Sequence, residues 1–426
     1  MKVYFDSIGC RLNQSEIEKL ASQFRAAGHE IVDSALQADL VVVNTCSVTA
    51  EAASDSRQKI RQASRAGVQE IVVTGCWATL EPENAAQLPG VTRVVMNSEK
   101  EHLTEAVLHL SPEVFDLEPL ERKPLPGIHQ RTRAFIKAQD GCDNFCTFCI
   151  TRIARGKGRS QPMDAILADI HAARAGGAQE VVLSGVHLGS WGSDLPQTLH
   201  LKNLIEQILA ESDIPRLRLS SLEPWDLAPD FFELWRNPRL CRHLHLPLQS
   251  GSARTLRRMA RKTNPQAYAE LVGWARQVRP EIAITTDIIV GFPGETDDDF
   301  EESLAYVQAL NLAAGHVFNF SPRPGTPAAQ FPEQIQPKIR KERSARMRAA
   351  VAASGATFRQ QFLGQTLEVL WESASSLGPL SWQMEGLSDT YLHVRALSPE
   401  NAWNQIQKVR LIETQGDGFQ AIIQKE

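Results

Sequence analysis

The sequence has no apolar run approaching the ~18 residues that a membrane-spanning helix needs. It opens Met1-Lys2-Val3-Tyr4-Phe5-Asp6, straight into a strand-like stretch, without the apolar region of a secretory signal. No low-complexity tract or solenoid repeat is visible. Neither sign of charge dominates, because 45 Lys and Arg stand against 50 Asp and Glu, and the net charge of −5 by itself decides nothing. Cysteine is scarce, seven in 426 residues, and its spacing fits metal ligation in a reducing compartment better than a disulfide scaffold. These absences leave a soluble globular chain of two or three domains, expected in the cytoplasm and without a membrane partner.

What the cysteines do is concentrated. Six of the seven fall into two trios, Cys142, Cys146 and Cys149 in one short run and Cys10, Cys46 and Cys76 dispersed over the first hundred residues. Three thiolates cannot close a tetrahedral zinc site or ligate all four irons of a cubane. Each trio therefore implies a cluster with one iron open to another ligand. No fourth Cys or His lies at ordinary zinc spacing from the tight trio, although the residues alone leave a zinc knuckle open.

The dispersed trio follows a rule of position. Lys2–Ile8, Asp39–Asn44 and Glu70–Thr74 read as strands, and Cys10, Cys46 and Cys76 follow them. Helices are expected between them, about Ser15–Ala27 and Ala50–Ala66, the first with a capping box in Ser15 and Glu18 and with Gly28 past its end. Alternating strands and helices give a parallel sheet, whose carboxyl-end loops gather at one edge. Three cysteines far apart in sequence would meet there. Each alone could equally be a buried core thiol, the reading given to Cys241.

The fold class expected is α/β. Residues 1–100 form the amino-terminal parallel domain, and the proline-bearing 101–131 reads as a linker. Residues 132–361 carry six strands, beginning near Arg133, Glu180, Arg216, His243, Ile282 and Gly315, with helices between. That pattern fits an incomplete (β/α)6 barrel with functional loops at the strand carboxyl ends, as in closed barrels. A doubly wound sheet has the same periodicity. Residues 362–426 change to short strands at Gln365–Glu372, Tyr391–Ala396 and Gln407–Glu413, suggesting a small β-barrel.

The strand ends of the central region offer ligand groups. A glycine-rich loop follows Gly185, where backbone can approach a ligand. Ser220, Ser221 and Glu223 place hydroxyls and a carboxylate that could hold a ribose or an ammonium, or cap the next helix. Gln249, Asp287 and Ile289 follow apolar strands. His187 and His245 read more simply as satisfied rim residues than as ligands. Basic residues cluster in Arg236–Lys262, in Lys338–Arg359, and at Arg152, Arg155, Lys157 and Arg159 beside the tight trio. They suit a polyanion such as RNA, or are solvated helix faces.

Together these motifs resemble the methylthiotransferases of the radical S-adenosylmethionine superfamily. The resemblance rests on Gly9-Cys10, Asn44-Thr45-Cys46-Ser47-Val48-Thr49, Thr74-Gly75-Cys76, Gly141–Cys149 with Phe148 before the last cysteine, and Ser321–Ala328. It implies two [4Fe-4S] clusters. One is a radical cluster on Cys142, Cys146 and Cys149, whose open iron S-adenosyl-L-methionine chelates and whose reduction yields a deoxyadenosyl radical. The other is an auxiliary cluster on Cys10, Cys46 and Cys76. The cofactor carries the chemistry, so no side chain is assigned as catalytic, and Gly185, Ser221, Glu223, Gln249, Asp287 and Ile289 are candidate contacts for S-adenosylmethionine. The tail is placed like a TRAM domain, which grips RNA, although it is net acidic. The run Ile150–Ile153 lacks a proline expected there.

Within the family, Gly9–Gln14 and His243–Ser252 are most similar to the branch that adds methylthio to carbon 2 of threonylcarbamoyladenosine at position 37 of tRNA. Sister branches act on isopentenyladenosine in tRNA or on an aspartate of a ribosomal protein. The implied partners are a tRNA anticodon stem-loop and an electron donor of flavodoxin or ferredoxin type. An iron–sulfur carrier without enzymatic activity would need neither the barrel nor its ligand loops.

Overall fold

The structure is a computed structural model that describes residues 1–111, 132–379 and 381–424. It divides into two compact units, one of Met1–Phe145, Cys149–His200 and Ala210–Asp213, the other of Cys146–Phe148, Leu201–Leu209 and Ile214–Glu426.

The first unit begins with a parallel sheet of β1 (Lys2–Ser7), β2 (Glu30–Ile31), β3 (Leu40–Thr45), β4 (Glu70–Gly75) and β5 (Val91–Val94), ordered β2-β1-β3-β4-β5. Strand β3 reads Leu-Val-Val-Val-Asn-Thr and is buried at every position, as a central parallel strand covered on both faces must be. Phe5, Ile17, Leu20 and Phe24 pack one face. Val41, Val43, Ile60 and Trp77 pack the other.

The helix after β1 departs from expectation. It spans Arg11–Ala26, not Ser15–Ala27, and Cys10 is its N-cap residue, with no side-chain cap. Ser15 lies inside it and is buried, so the Ser15/Glu18 pair is no capping box. The reason is Gly9. Its φ of +98° turns the chain directly from strand to helix, a conformation that favours glycine. The second helix, Ala50–Arg65, starts as expected, with the Thr49 hydroxyl accepting from the Ala52 amide.

Of the segment read as linker, residues 112–131 and their prolines lie outside the described residues. Its start is ordered, with a helix at Leu103–Leu108 whose Leu103 is fully buried in the core against Phe5 and Phe24. The first unit then adds β6 (Arg133–Asp140), β7 (Arg159–Ser160) and β8 (Glu180–Gly185), with β6 parallel to β8 and antiparallel to β7.

The second unit carries β9 (Arg216–Leu219), β10 (His243–His245), β11 (Ala283–Val290) and β12 (Ala314–Asn319). Isolated bridges join Leu217 to Leu240 and Ser221 to His245, and β10-β11-β12 are parallel. All six expected strands of the central region therefore form. Helix Asp297–Ala309 has a true capping box between Thr296 and Asp299, and three aspartates in its first turn complement its dipole.

The tail is a closed barrel of β13 (Thr366–Gly378), β14 (Ser381–Ser388), β15 (His393–Ser398), β16 (Ile406–Gln415) and β17 (Gly418–Ile423), in the order β13-β14-β15-β17-β16. Strands β14 and β17 were not foreseen. This is a five-stranded Greek-key barrel of the kind oligonucleotide-binding folds use. Its core of Trp371, Met384, Val394 and Leu411 continues into Phe358 and Phe362 at the end of helix Pro337–Gln360 and into Ala283 and Ala313. Arg216 and Arg218 donate to the carbonyls of Leu387, Ser388 and Asp389, and Arg242 pairs with the Asp389 carboxylate. Among the described residues no helix is long and apolar enough to cross a membrane.

The barrel is thus part of the second unit's core rather than an appendage. Removing residues 362–426 should strip Arg218 of those acceptors and expose the apolar Phe358, Ala283 and Ala313 that share the barrel's core. The truncated chain should aggregate or melt well below the full chain in a thermal denaturation. Equal melting temperatures would contradict the shared core.

Candidate functional site

The dispersed trio is assembled by the sheet. Cys10 caps the helix after β1, Cys46 follows β3, and Cys76 opens the short helix Cys76–Leu80 after β4. Asn13 pins these ends together, since its Nδ2 donates to the carbonyls of Ile8 at 2.8 Å and Thr45 at 3.0 Å. Gly9 and Gly75 both have φ of +98°. A Cβ on Gly9 would lie 2.4 Å from Cys46 Sγ, so that sulfur sits directly against the glycine backbone.

The thiols are free, with Cys46 and Cys76 buried and Cys10 exposed. Burial pushes the Cys46 thiol up to about 11, and Cys10 and Cys76 are close enough to add to the rise. A bound cation is what such a thiol needs to ionise. Ser47 Oγ, Thr74 Oγ1 and Asn97 Oδ1 are buried beside the trio without hydrogen-bond partners. A cluster takes one thiolate at each of separate irons. The donor set fits iron–sulfur ligation.

Behind the trio lies a buried ionic network that the sequence did not announce. Arg155 Nη1 donates to Glu16 Oε1 and Asp140 Oδ1, each at 2.9 Å, and Arg155 Nη2 donates to Asn13 Oδ1 at 2.6 Å. Lys100 Nζ donates to Glu16 Oε2 at 2.7 Å and to Asn44 Oδ1 at 3.1 Å. Burial opposes ionisation of Glu16, yet Arg155, Lys100 and Lys137 outweigh it and hold the carboxyl well below the ordinary carboxylate range. Arg155 was expected on the surface, facing phosphates. It is instead 5% exposed, because helix Thr151–Arg155 turns its last side chain inward.

The tight trio occupies the loop after β6, with Cys142 and Cys149 in the first unit and Cys146 in the second. The Cys142 amide donates to the Gly156 carbonyl at 3.1 Å. A Cβ on Gly141, at φ +70°, would strike the Lys157 carbonyl. Helix Thr151–Arg155 forms without the proline expected nearby. Phe145 is 71% exposed, and the Arg152 guanidinium stacks 3.7 Å from its ring centre.

In the second unit, Arg261 lies 3.8 Å from Cys146 Sγ and holds Glu223 through two hydrogen bonds of 3.1 and 2.6 Å. It also covers Trp225 and donates to the Pro247 carbonyl. Arg261 belongs by sequence to a basic run that suits RNA, but it is buried on Glu223 and is not available to phosphates. The same unit brings Ser221, Gln249, Asp287 and Ile289 to the carboxyl ends of β9, β10 and β11. Gln249 adopts φ +70°, its amide donates to the Asp287 carbonyl, and its carbonyl accepts from Ile289, each at 2.8 Å. His245 Nε2 lies 3.3 Å from Asp287, and its Nδ1 meets the Thr285 hydroxyl at 2.9 Å, the satisfied rim histidine expected.

Gly185 ends β8 in the first unit, packed against Gln139 and Leu188. The buried His187 there receives Asn144 and donates its amide to Gln139 Oε1 at 2.8 Å.

Most other cations of the basic runs are also engaged. Arg343 is buried on Glu295 and Asp297, Arg346 is forked onto Glu301, and Arg254 is paired with Asp299. Lys157, Arg159, Arg257, Lys262, Lys338 and Lys341 remain exposed.

Residues 2–97 match the family described as Uncharacterized protein family UPF0004, and residues 136–307 match the Radical SAM superfamily. The threonylcarbamoyladenosine tRNA methylthiotransferase MtaB of Bacillus subtilis is 33% identical over 96% of this chain and 94% of its own. That of Thermotoga maritima is 36% identical over 89% and 88%. The chain belongs to the radical S-adenosylmethionine tRNA methylthiotransferases. Members of this family work with S-adenosylmethionine and two [4Fe-4S] clusters. A tRNA-2-methylthio-N(6)-dimethylallyladenosine synthase of Cereibacter sphaeroides is 34% identical over 92% of this chain and 91% of its own. In fold, the radical S-adenosylmethionine methyltransferase TsrM of Kitasatospora setae superposes with a TM-score of 0.58 over 77% of each chain at 15% identity.

Gly9→Ala should displace Cys46 and cost the auxiliary cluster. Anaerobic reconstitution should then load about four irons per chain rather than about eight. Cys241→Ser should leave the content unchanged, since Cys241 is a buried packing thiol. Full iron in the Gly9 variant would contradict the close approach.

Proposed function

We propose that this methylthiotransferase converts the carbon 2 C–H of N6-threonylcarbamoyladenosine at position 37 of tRNA into C–S–CH3. The observation that carries the reading is the pairing of two three-thiol sites in one chain, one gathered at a parallel sheet's carboxyl edge and one in the loop after β6. The names borne by the more similar relatives favour the threonylcarbamoyl branch, and His243–Ser252 and Gly9–Gln14 support it. That C–H bond has no acidic proton, so the hard step belongs to the cofactors. With Cys142, Cys146 and Cys149 holding one cluster and Cys10, Cys46 and Cys76 the other, one S-adenosylmethionine would supply the radical that removes the hydrogen, and a second would supply the methyl group to a sulfur held at the auxiliary cluster.

The chain's own residues do the rest. Ser221, Gln249, Asp287 and Ile289 would orient S-adenosylmethionine, whereas the open face of Gly185 is filled by Gln139 and Leu188. Glu223 spends both oxygens on Arg261, so its role in that reading is to fix Arg261 beside Cys146. An adenine must leave its stack to be reached, and Phe145 under Arg152 offers an aromatic face near the tight trio. Lys157 and Arg159 would neutralise phosphates there, and Lys338 and Lys341 would add sequence-independent contacts. The domain reading is 1–100 for the auxiliary site, 132–361 for the radical core and 362–426 for a TRAM-like barrel. A flavodoxin- or ferredoxin-type protein would supply electrons.

Two variants separate the sites. Cys146→Ala should abolish release of 5'-deoxyadenosine, whereas Cys46→Ala should retain it and lose methylthiolated nucleoside. Anticodon stem-loops bearing threonylcarbamoyl, isopentenyl or no group on the adenosine, offered in competition to the wild-type enzyme, should yield product mainly from the first. Preferred turnover of the isopentenyl RNA would move the chain to the sister branch.

A further inference from the structure

Asn97 and Arg155 tie the dispersed trio to the helix that follows the tight trio, and nothing in the proposed reaction uses them. Asn97 Nδ2 donates to the Ala154 carbonyl at 2.8 Å and lies 3.7 Å from Cys76 Sγ. The neighbouring Arg155 holds Asn13, whose Oδ1 lies 3.7 Å from Cys10 Sγ. Arg155 also holds Asp140, which accepts the Gly141 amide at 2.8 Å, one residue before Cys142.

The charges of this network are mostly buried. Arg155 and Lys100 have side-chain exposures of 2% and 4%, and Glu16 and Asp140 of 5% and 7%. Lys137 lies nearer the surface and pairs with Glu101 at 2.9 Å. The Arg155 guanidinium is the most deeply buried of these charges, behind three thiols that ionise when they ligate iron. Burial works against the Arg155 charge, but Glu16, Cys76, Asp140 and Cys10 outweigh it and hold the guanidinium firmly protonated.

We propose that Arg155 and Asn97 are positioning residues of the auxiliary cluster that set its reduction potential, Arg155 by its buried charge and Asn97 by an N–H directed at the Cys76 sulfur. Net charge and hydrogen bonds to sulfur are the levers by which proteins tune such clusters. Both levers favour the reduced, more negative state. Both are anchored at Ala154–Arg155, so the backbone that carries the radical cysteines also fixes the surroundings of the auxiliary ones. This inference rests on the reading of Cys10, Cys46 and Cys76 as ligands.

The test uses the full chain with Cys142, Cys146 and Cys149 all changed to Ala, so that only the auxiliary trio can load. Its midpoint potential is measured by titration under electron paramagnetic resonance, and its iron release by a chelator assay. Arg155→Gln and Asn97→Leu, each added to this parent, should shift the potential to more negative values. They should speed iron release on the order of 10- to 100-fold, as lost outer-shell partners do. Arg155→Lys should recover most of the potential but not the slow release, because lysine keeps the charge without the guanidinium fork.

A parent that takes up no iron overturns the ligand reading and this proposal with it. A parent that loads normally, with Arg155→Gln and Asn97→Leu unchanged in potential, overturns this proposal alone. If Arg155→Gln fails to fold, Asn97→Leu decides by the same criterion.

Discussion

The first unit depends on one buried ion pair, Arg155 with Glu16. Each ion, taken out of water alone, would cost several kcal/mol, and removing one partner of such a pair costs roughly 3–5 kcal/mol. The structure offsets this by satisfying nearly every donor and acceptor: Asn13, Asp140, Lys100 and Asn44 complete the set. Those partners come from the start of helix Arg11–Ala26, the ends of β3 and β6, the turn at Lys100 and helix Thr151–Arg155. Satisfying two charges therefore fixes five pieces of backbone, and Cys10, Cys46, Cys142 and Cys149 lie close to the ends of four of them.

The dispersed trio is gathered by strand ends, whereas the tight trio sits in one loop after β6. A parallel sheet delivers β1, β3 and β4 to one edge, and glycines at φ +98° beside Cys10 and Cys76 let the backbone turn there without a Cβ in the way. In the second unit, β9, β10 and β11 present Ser221, Gln249, Asp287 and Ile289 in the same sense. Cofactors carry the bond-making, and the protein contributes placement and charge. That division explains why the most heavily engaged side chains, Arg155 and Arg261, are positioned behind or beside thiols rather than exposed to solvent.

The sequence made legible what depends on chain-local pattern. Alternation of strand and helix located β1, β3, β4 and the six central strands, and cysteine spacing located both trios. What it missed depends on burial and on long-range pairing. Ser15 and Glu18 have the letters of a capping box, but Gly9 turns the chain earlier and places Ser15 mid-helix. Arg155, Arg261 and Arg343 sit in basic runs that suit a polyanion or a solvated helix face. Only the fold shows that Glu16, Glu223 and Glu295, each far away in sequence, draw them inside. Asn97 and Lys100 lay at the edge of a presumed linker with no motif to mark them. The last barrel strand escaped notice because Gly418–Ile423 follows a two-residue turn and is too short to declare its own period.

The central claim is that the two thiol sites act together on one adenosine of tRNA. The measurement that tests it most directly is mass analysis of tRNA nucleosides from cells lacking this protein, with and without restoration of the intact chain. The account predicts that the methylthio form of threonylcarbamoyladenosine disappears while threonylcarbamoyladenosine itself accumulates, and that only the intact chain reverses both. Unchanged methylthio-threonylcarbamoyladenosine, or loss of a different modified nucleoside, would contradict it.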